Sequence, residues 1–256
     1  MHQTACYEQP LNERIRTFLR LEFLFEQFAH SQTGKSHWDA RSALHRLLEI
    51  LTFIGRNELR AELLKELERQ ATALGKLRET PGVSADTLAS ILEEINHRTN
   101  VLFDLDTVAM ESVRKSDLLN SVRQRSAIPG GTCNFDLPGL HNWLQRSPAE
   151  CFEHLDRWIQ PLRPLQDALG LLLRLIRGSA RPSQEIANDG FFQKSLDASS
   201  PNQMVRVVVP AELGVYPEIS GGRHRFSIRF MEHPDPNKRP TKSFDDIPFQ
   251  LVCCSM

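Results

Sequence analysis

"AHSQTGKS" (29–36) comes within one residue of a phosphate-binding loop, G-x-x-x-x-G-K-[ST], and is the first place where chemistry could sit. Such a loop cradles phosphates with its backbone N–H groups, and needs a leading glycine, a strand before it and a helix after it. Ala29 stands where that glycine belongs, and an amphipathic pattern runs in, so the stretch reads as a polar loop between two helices. Cys133 and His141 offer a nucleophile and a base, but their separation matches no recognised catalytic spacing. Cys133 follows a Gly-Gly turn, where a structural thiol is the commoner outcome. C-x-x-C and H-E-x-x-H are missing, Cys253 and Cys254 are adjacent, and neither G-x-G-x-x-G nor G-x-S-x-G occurs. Nothing in these patterns calls for a metal, a cofactor or an enzyme.

What remains is arginine. "SGGRHRFSIRFM" (220–231) alternates with period two, as a β-strand does. His224, Phe226, Ile228 and Phe230 would share one face, and Arg223, Arg225, Ser227 and Arg229 the other. Like charges at alternate positions repel unless an anion lies across them, and guanidinium groups grip carboxylates in bidentate fashion. The pattern points to an acidic peptide or another anion as ligand. The bland alternative is a set of salt bridges to the chain's own acids, with Asp245 and Asp246 as candidates. "RKSDLLNSVRQR" (114–125) carries four basic residues and one acid, and the first helical stretch adds Arg14, Arg16 and Arg20 among Glu13, Glu22 and Glu26. Each of those clusters, taken alone, suits a solvated helix face. A nucleic-acid-binding module would be the rival use of the arginines. It would need a larger basic surface than a net charge of -1 offers, and aromatic residues interleaved for stacking, whereas Phe226 and Phe230 alternate onto the opposite face.

The elements that must position these residues divide the 256-residue chain into two kinds of sequence. The composition, 40% hydrophobic and 25% charged, is that of a globular protein. From 11 to 180 the pattern is helical, and a helical bundle domain is expected there. Leu11, Ile15, Phe18, Leu19, Phe25 and Phe28 form one stripe, and Leu59, Leu63, Leu67, Leu74 and Leu77 another. Ser84 is placed to cap the helix beginning "ADTLAS", a helical segment runs from about 107 to 126, and "SPAE" (147–150) is a capping box. Pro161 and Pro164 split the last helical seam. From 185 to 256 short β-branched and aromatic runs, "QMVRVVVP", "SGGRHRFSIRFM" and "IPFQLVCC", predict a small antiparallel β-sheet domain, with 4–10 as an additional strand. The proline-rich 232–246 reads as a mobile loop. The fold class expected is α+β. The N-terminus does not read as a signal peptide, and the most apolar run, "ALGLLLRLI", is interrupted by Arg174 and too short to span a bilayer, so no membrane insertion is expected. Five cysteines without framework spacing fit reduced thiols in the cytoplasm.

Five stretches together resemble the ZapD family of bacterial division proteins: "EQPLNERIRTFLRLEFL" (8–24), "RAELLKELERQ" (60–70), "VRQRSAIPGGTCNFDLPGLHNWL" (122–144), "YPEISGGRHRFSIRFM" (216–231) and "FQLVCC" (249–254). The resemblance implies a helical domain joined to a β-domain, a homodimer, no catalysis, and recruitment to the mid-cell division ring. It further implies binding to the acidic C-terminal tail of the tubulin-like protein FtsZ through a basic pocket, and cross-linking of FtsZ filaments into bundles. Carried over residue by residue, it assigns partner binding to Arg20, Arg123, Arg125, His141, Arg225 and Arg229. Arg16 and Arg223 join them as neighbours in the same basic stretches. Asp117 stands where the family pattern leads one to expect another basic residue.

Overall fold

Apolar side chains three or four residues apart can be buried together only on a helix, and alternating ones only on a strand. The chain follows that rule through its length. The computed structural model describes residues 3–55, 58–197, 201–222 and 224–255. Strand β1 (Thr4–Pro10) is followed by α1 (Glu13–Gln32), α2 (His37–Gly55), α3 (Leu59–Gly75) and α4 (Ala85–Phe103). Next come α5 (Thr107–Arg114), α6 (Asp117–Arg125), α7 (Pro138–Leu144), α8 (Pro148–Ile159) and α9 (Arg163–Arg177). The remainder is extended: β2 (Ser183–Ala187), β3 (Phe191–Ser195), β4 (Asn202–Pro210), β5 (Val215–Gly221), β6 (Arg225–Glu232), β7 (Thr241–Lys242) and β8 (Ile247–Ser255). The class is α+β. The chain divides into two compact units, Arg20–Leu172 and Met1–Leu19 with Leu173–Met256, and the divisions fall inside α1 and α9.

In the helical unit, Leu44, Leu47, Ile50 and Leu51 of α2, Leu63 and Leu67 of α3, and Leu155 and Ile159 of α8 are buried at the spacing the stripes foretell. Here α2 packs on α8, α3 on α4, and the short α7 touches both α6 and α8. Ser84 caps α4 by accepting the Thr87 N–H, and Ser147 and Glu150 close a reciprocal capping box on α8. Pro161 sits in a single 3₁₀ turn between α8 and α9, because proline cannot donate the helical hydrogen bond there. Two local expectations change. The segment 107–126 is two helices, since Ser116 turns out of the first and caps α6 through the Leu119 N–H. Ala29–Gln32, the start of the near-P-loop, is the last turn of α1, and Ser36 with Asp39 caps α2.

In the β unit the strands form two antiparallel sheets, ordered β1-β4-β8-β2 and β3-β6-β5, with β7 pairing the end of β6. Val205, Val207, Val209, Phe249 and Leu251 of the first sheet and Phe226, Ile228 and Phe230 of the second bury one shared core. Phe249 meets Phe192 edge-on at 5.2 Å and Phe230 at 5.3 Å between ring centroids. "SGGRHRFSIRFM" is not one continuous strand. Ser220 and Gly221 end β5, the chain reverses where the Gly222 N–H donates to the Arg225 carbonyl at 3.0 Å, and β6 begins at Arg225. His224 therefore lies exposed in the turn rather than on the core face, and Arg223 lies outside the described residues. The proline-rich segment is anchored at its end: Thr241 and Lys242 pair with β6, and Ser243 is buried with its N–H donated to Phe230.

Candidate functional site

The alternation of β6 puts Phe226, Ile228 and Phe230 in the core and leaves Arg225 and Arg229 exposed on the opposite face. Register then decides what stands beside each arginine. Ser195 of β3 is opposite Arg225; Gln193 and Ser220 flank Ser227; Phe191 and Glu218 flank Arg229. The outer face is a row of two cations separated by hydroxyls and an amide. An open cleft of about 470 Å³ lies at the Arg225 end, lined by Gln193, Ser220, Gly221, Gly222, His224, Arg225 and Ser227 among others. Four of its lining residues are serine or glycine, so a backbone can approach the sheet closely, and Arg225 and His224 are among its polar groups. Among the described residues neither the Arg225 nor the Arg229 guanidinium has a hydrogen-bond or ion-pair partner. Of the acids that might have neutralised them, Asp246 is engaged at the β2–β3 turn through its carboxylate and Asp245 through its backbone, and among the described residues neither is paired with an arginine of β6. The Asp246 carboxylate accepts the Asp189 N–H, and the Asp245 carbonyl accepts the Gly190 N–H.

The helical unit holds a second basic group. Arg123 and Arg125 occupy the last turn of α6, where cations also favour the helix dipole. Arg123 donates to Asn120 at 2.8 Å within its own helix, and Arg125 stands 3.9 Å from Asp136, just ahead of α7. His141 is exposed on α7. Arg20 is exposed on α1 and has no guanidinium partner among the described residues. Arg16, which belongs to the β unit, is engaged by Glu13 one turn away, so part of its charge is already answered. The Cys133 thiol donates to the Asp136 carboxylate at 3.4 Å.

A third constellation carries no sequence signal. Glu8 of β1 accepts both nitrogens of Arg177 at 2.9 and 2.8 Å, and the Arg206 Nε at 2.9 Å. Burial by itself would raise the Glu8 carboxyl; the hydrogen bonds and charges of Arg177 and Arg206 outweigh it and hold the group below its ordinary 4.5. With its partners on α9 and β4, this pair of bridges ties β1 into its sheet. Glu185 of β2 likewise lies below its ordinary value, held there by Ser183 and then by Lys194 at 3.2 Å.

Comparison with other proteins identifies the family. The family model for ZapD, described as a cell division protein, matches residues 19–229. A cell division protein ZapD of Methylococcus capsulatus is 42% identical over 254 residues, 99% of each chain. Its counterparts in Azoarcus and Dechloromonas aromatica are 40% and 39% identical over 250 residues, covering 98% of this chain and 99% of theirs. The match spans both units, including the strands that carry the exposed arginines, and this chain belongs to the ZapD family of cell division proteins.

Proposed function

We propose that this protein is a non-enzymatic division factor that binds the acidic C-terminal tail of FtsZ and, as a homodimer in the cytoplasm, cross-links and bundles FtsZ filaments at the mid-cell ring. One observation carries the reading: Arg225 and Arg229 share an exposed sheet face, unpartnered among the described residues, beside an open cleft lined in part by serine and glycine. Four residues along a strand is about 13 Å, so an extended ligand with carboxylates four residues apart meets both guanidiniums in register. Arg20, Arg123, Arg125 and His141 of the helical unit, and Arg16 and Arg223, are proposed as further partner-binding residues on the strength of the family resemblance. Membership of the family supports the division role, and the acidic partner follows from the chemistry of guanidinium.

A single contact of this kind is weak, with a dissociation constant on the order of micromolar. Two sites on a dimer facing a polymer raise the effective concentration, so bundling needs no tight individual contact. The test is co-sedimentation of Arg225→Glu with FtsZ filaments, with circular dichroism to confirm that the variant folds. Loss of most of the pelleted protein is expected; a folded variant that pellets normally would remove Arg225 from the site.

A further inference from the structure

Arg225 and Arg229 are chemically unequal. The residue opposite Arg229 on β5 is Glu218, and both side chains are exposed on the outer face. Opposite Arg225 on β3 stands Ser195, which carries no charge. Residues directly opposed across antiparallel strands hold their Cβ atoms about 5 Å apart, within easy reach for a carboxylate and a guanidinium. The neighbouring acid Glu185 is committed to Lys194 and Ser183. Glu218 has no such commitment: among the described residues it has no ion-pair partner, and the Glu218–Arg229 pair stands open rather than closed. An open, solvated pair of opposite charges attracts without being locked, and exchanges readily for another carboxylate.

We propose that Glu218 is an intramolecular placeholder: its carboxylate competes at Arg229 with the carboxylate of the acidic ligand and so limits the affinity of that end of the site. The inference rests on the reading of this face as the site of an acidic peptide, and it adds an order to the two contacts. Arg225, at the cleft and without an acidic neighbour, takes the ligand's first carboxylate. Arg229 takes the second only in competition with Glu218, so a ligand offering one carboxylate gains little there. A bound peptide releases Glu218 to solvent, where a lone carboxylate on an exposed strand is well hydrated.

The experiment is a double-mutant cycle read by fluorescence anisotropy of a labelled FtsZ C-terminal tail peptide at low salt, with the full-length protein and circular dichroism on every variant. Glu218→Gln keeps the size and polarity of the side chain while removing its charge. It is expected to tighten binding by about two- to fivefold, the scale of a cross-strand ion pair. Arg229→Gln is expected to weaken binding, and in the Glu218→Gln/Arg229→Gln double variant the gain should vanish, because it acts through Arg229. Unchanged or weaker binding by Glu218→Gln, while Arg225→Gln and Arg229→Gln both lose affinity, would overturn the placeholder and leave the site standing. A gain that survives in the Arg229→Gln background would also overturn it, since the effect would then be one of overall charge. If Arg225→Gln and Arg229→Gln both bind as the parent does, the site itself is wrong and the placeholder falls with it.

Discussion

Glu8 shows how much one carboxylate can do when two guanidiniums depend on it. Its side chain is 19% exposed, with those of Arg177 and Arg206 at 28% and 26%, so the group is partly shielded from water but not dry. Replacing it with Gln leaves two half-buried cations facing a neutral amide, a loss of about 1–3 kcal/mol in unfolding free energy. The sign with pH follows from the direction of the shift. A carboxyl held below 4.5 in the folded chain contributes stability that is fully present above that value and is lost as pH falls through the lower folded value. The margin of the parent over Glu8→Gln in urea unfolding should therefore be constant from pH 7 to pH 5 and shrink below 4.5. A margin that stays level down to pH 3 would show that Arg177 and Arg206 do not act through the charge of Glu8.

Among the elements, the β2–β3 connection, which passes from one sheet to the other, positions the arginine face, because β3 forms one flank of β6. Its turn is Asp189-Gly190, with φ of 47° and 65°, the left-handed pair of a type I′ turn, closed by the Phe191 N–H on the Asn188 carbonyl at 2.9 Å. Gly190 also accepts the Phe230 N–H at 2.8 Å and donates its own N–H to Asp245 at 2.8 Å. A Cβ there would lie 2.3 Å from the Ser243 carbonyl oxygen. Gly190→Ala should cost about 2 kcal/mol or more, from backbone strain and that clash together. Gly214 has a φ of 63° with open space around it, so Gly214→Ala carries the strain alone, about 1 kcal/mol. Chemical denaturation of the two variants checks the difference; equal losses would show that the approach to Ser243 relaxes freely. The helical elements were plain in the sequence because Ser84 and Ser147 carry local capping signals. The strands β2, β3 and β5 were not, because short edge strands with mixed exposure lack clean alternation, although the Asp-Gly dipeptide announces the turn between β2 and β3.

For the whole molecule, a net charge of -1 means that no long-range field draws an acidic filament in; attraction comes from local cationic groups over short distances. Exposed ion pairs are screened over about 10 Å at 0.1 M salt. Bundling of FtsZ filaments, followed by light scattering, should fall steeply between low and several-hundred-millimolar salt. Bundling indifferent to salt would remove the electrostatic basis of the proposed contact. Among the described residues no helix is long and apolar enough to cross a membrane.

Local rules in the amino-acid order were enough to determine the helical stretches, the Ser84 and Ser147 caps, the α+β class and the exposure of Arg225 and Arg229 on alternate positions of one strand, but not the break at Ser116. A helix closes its hydrogen bonds within four residues and a strand's two faces follow from its own alternation, so both can be read without knowing what lies nearby. Tertiary structure decided what stands beside those arginines. Ser195 and Glu218 reach Arg225 and Arg229 only through strand register, and Glu8 meets Arg177 and Arg206 from positions 169 and 198 residues away. Strand partners are chosen by the burial of a shared core, a property of the assembled sheets that no single stretch of sequence contains.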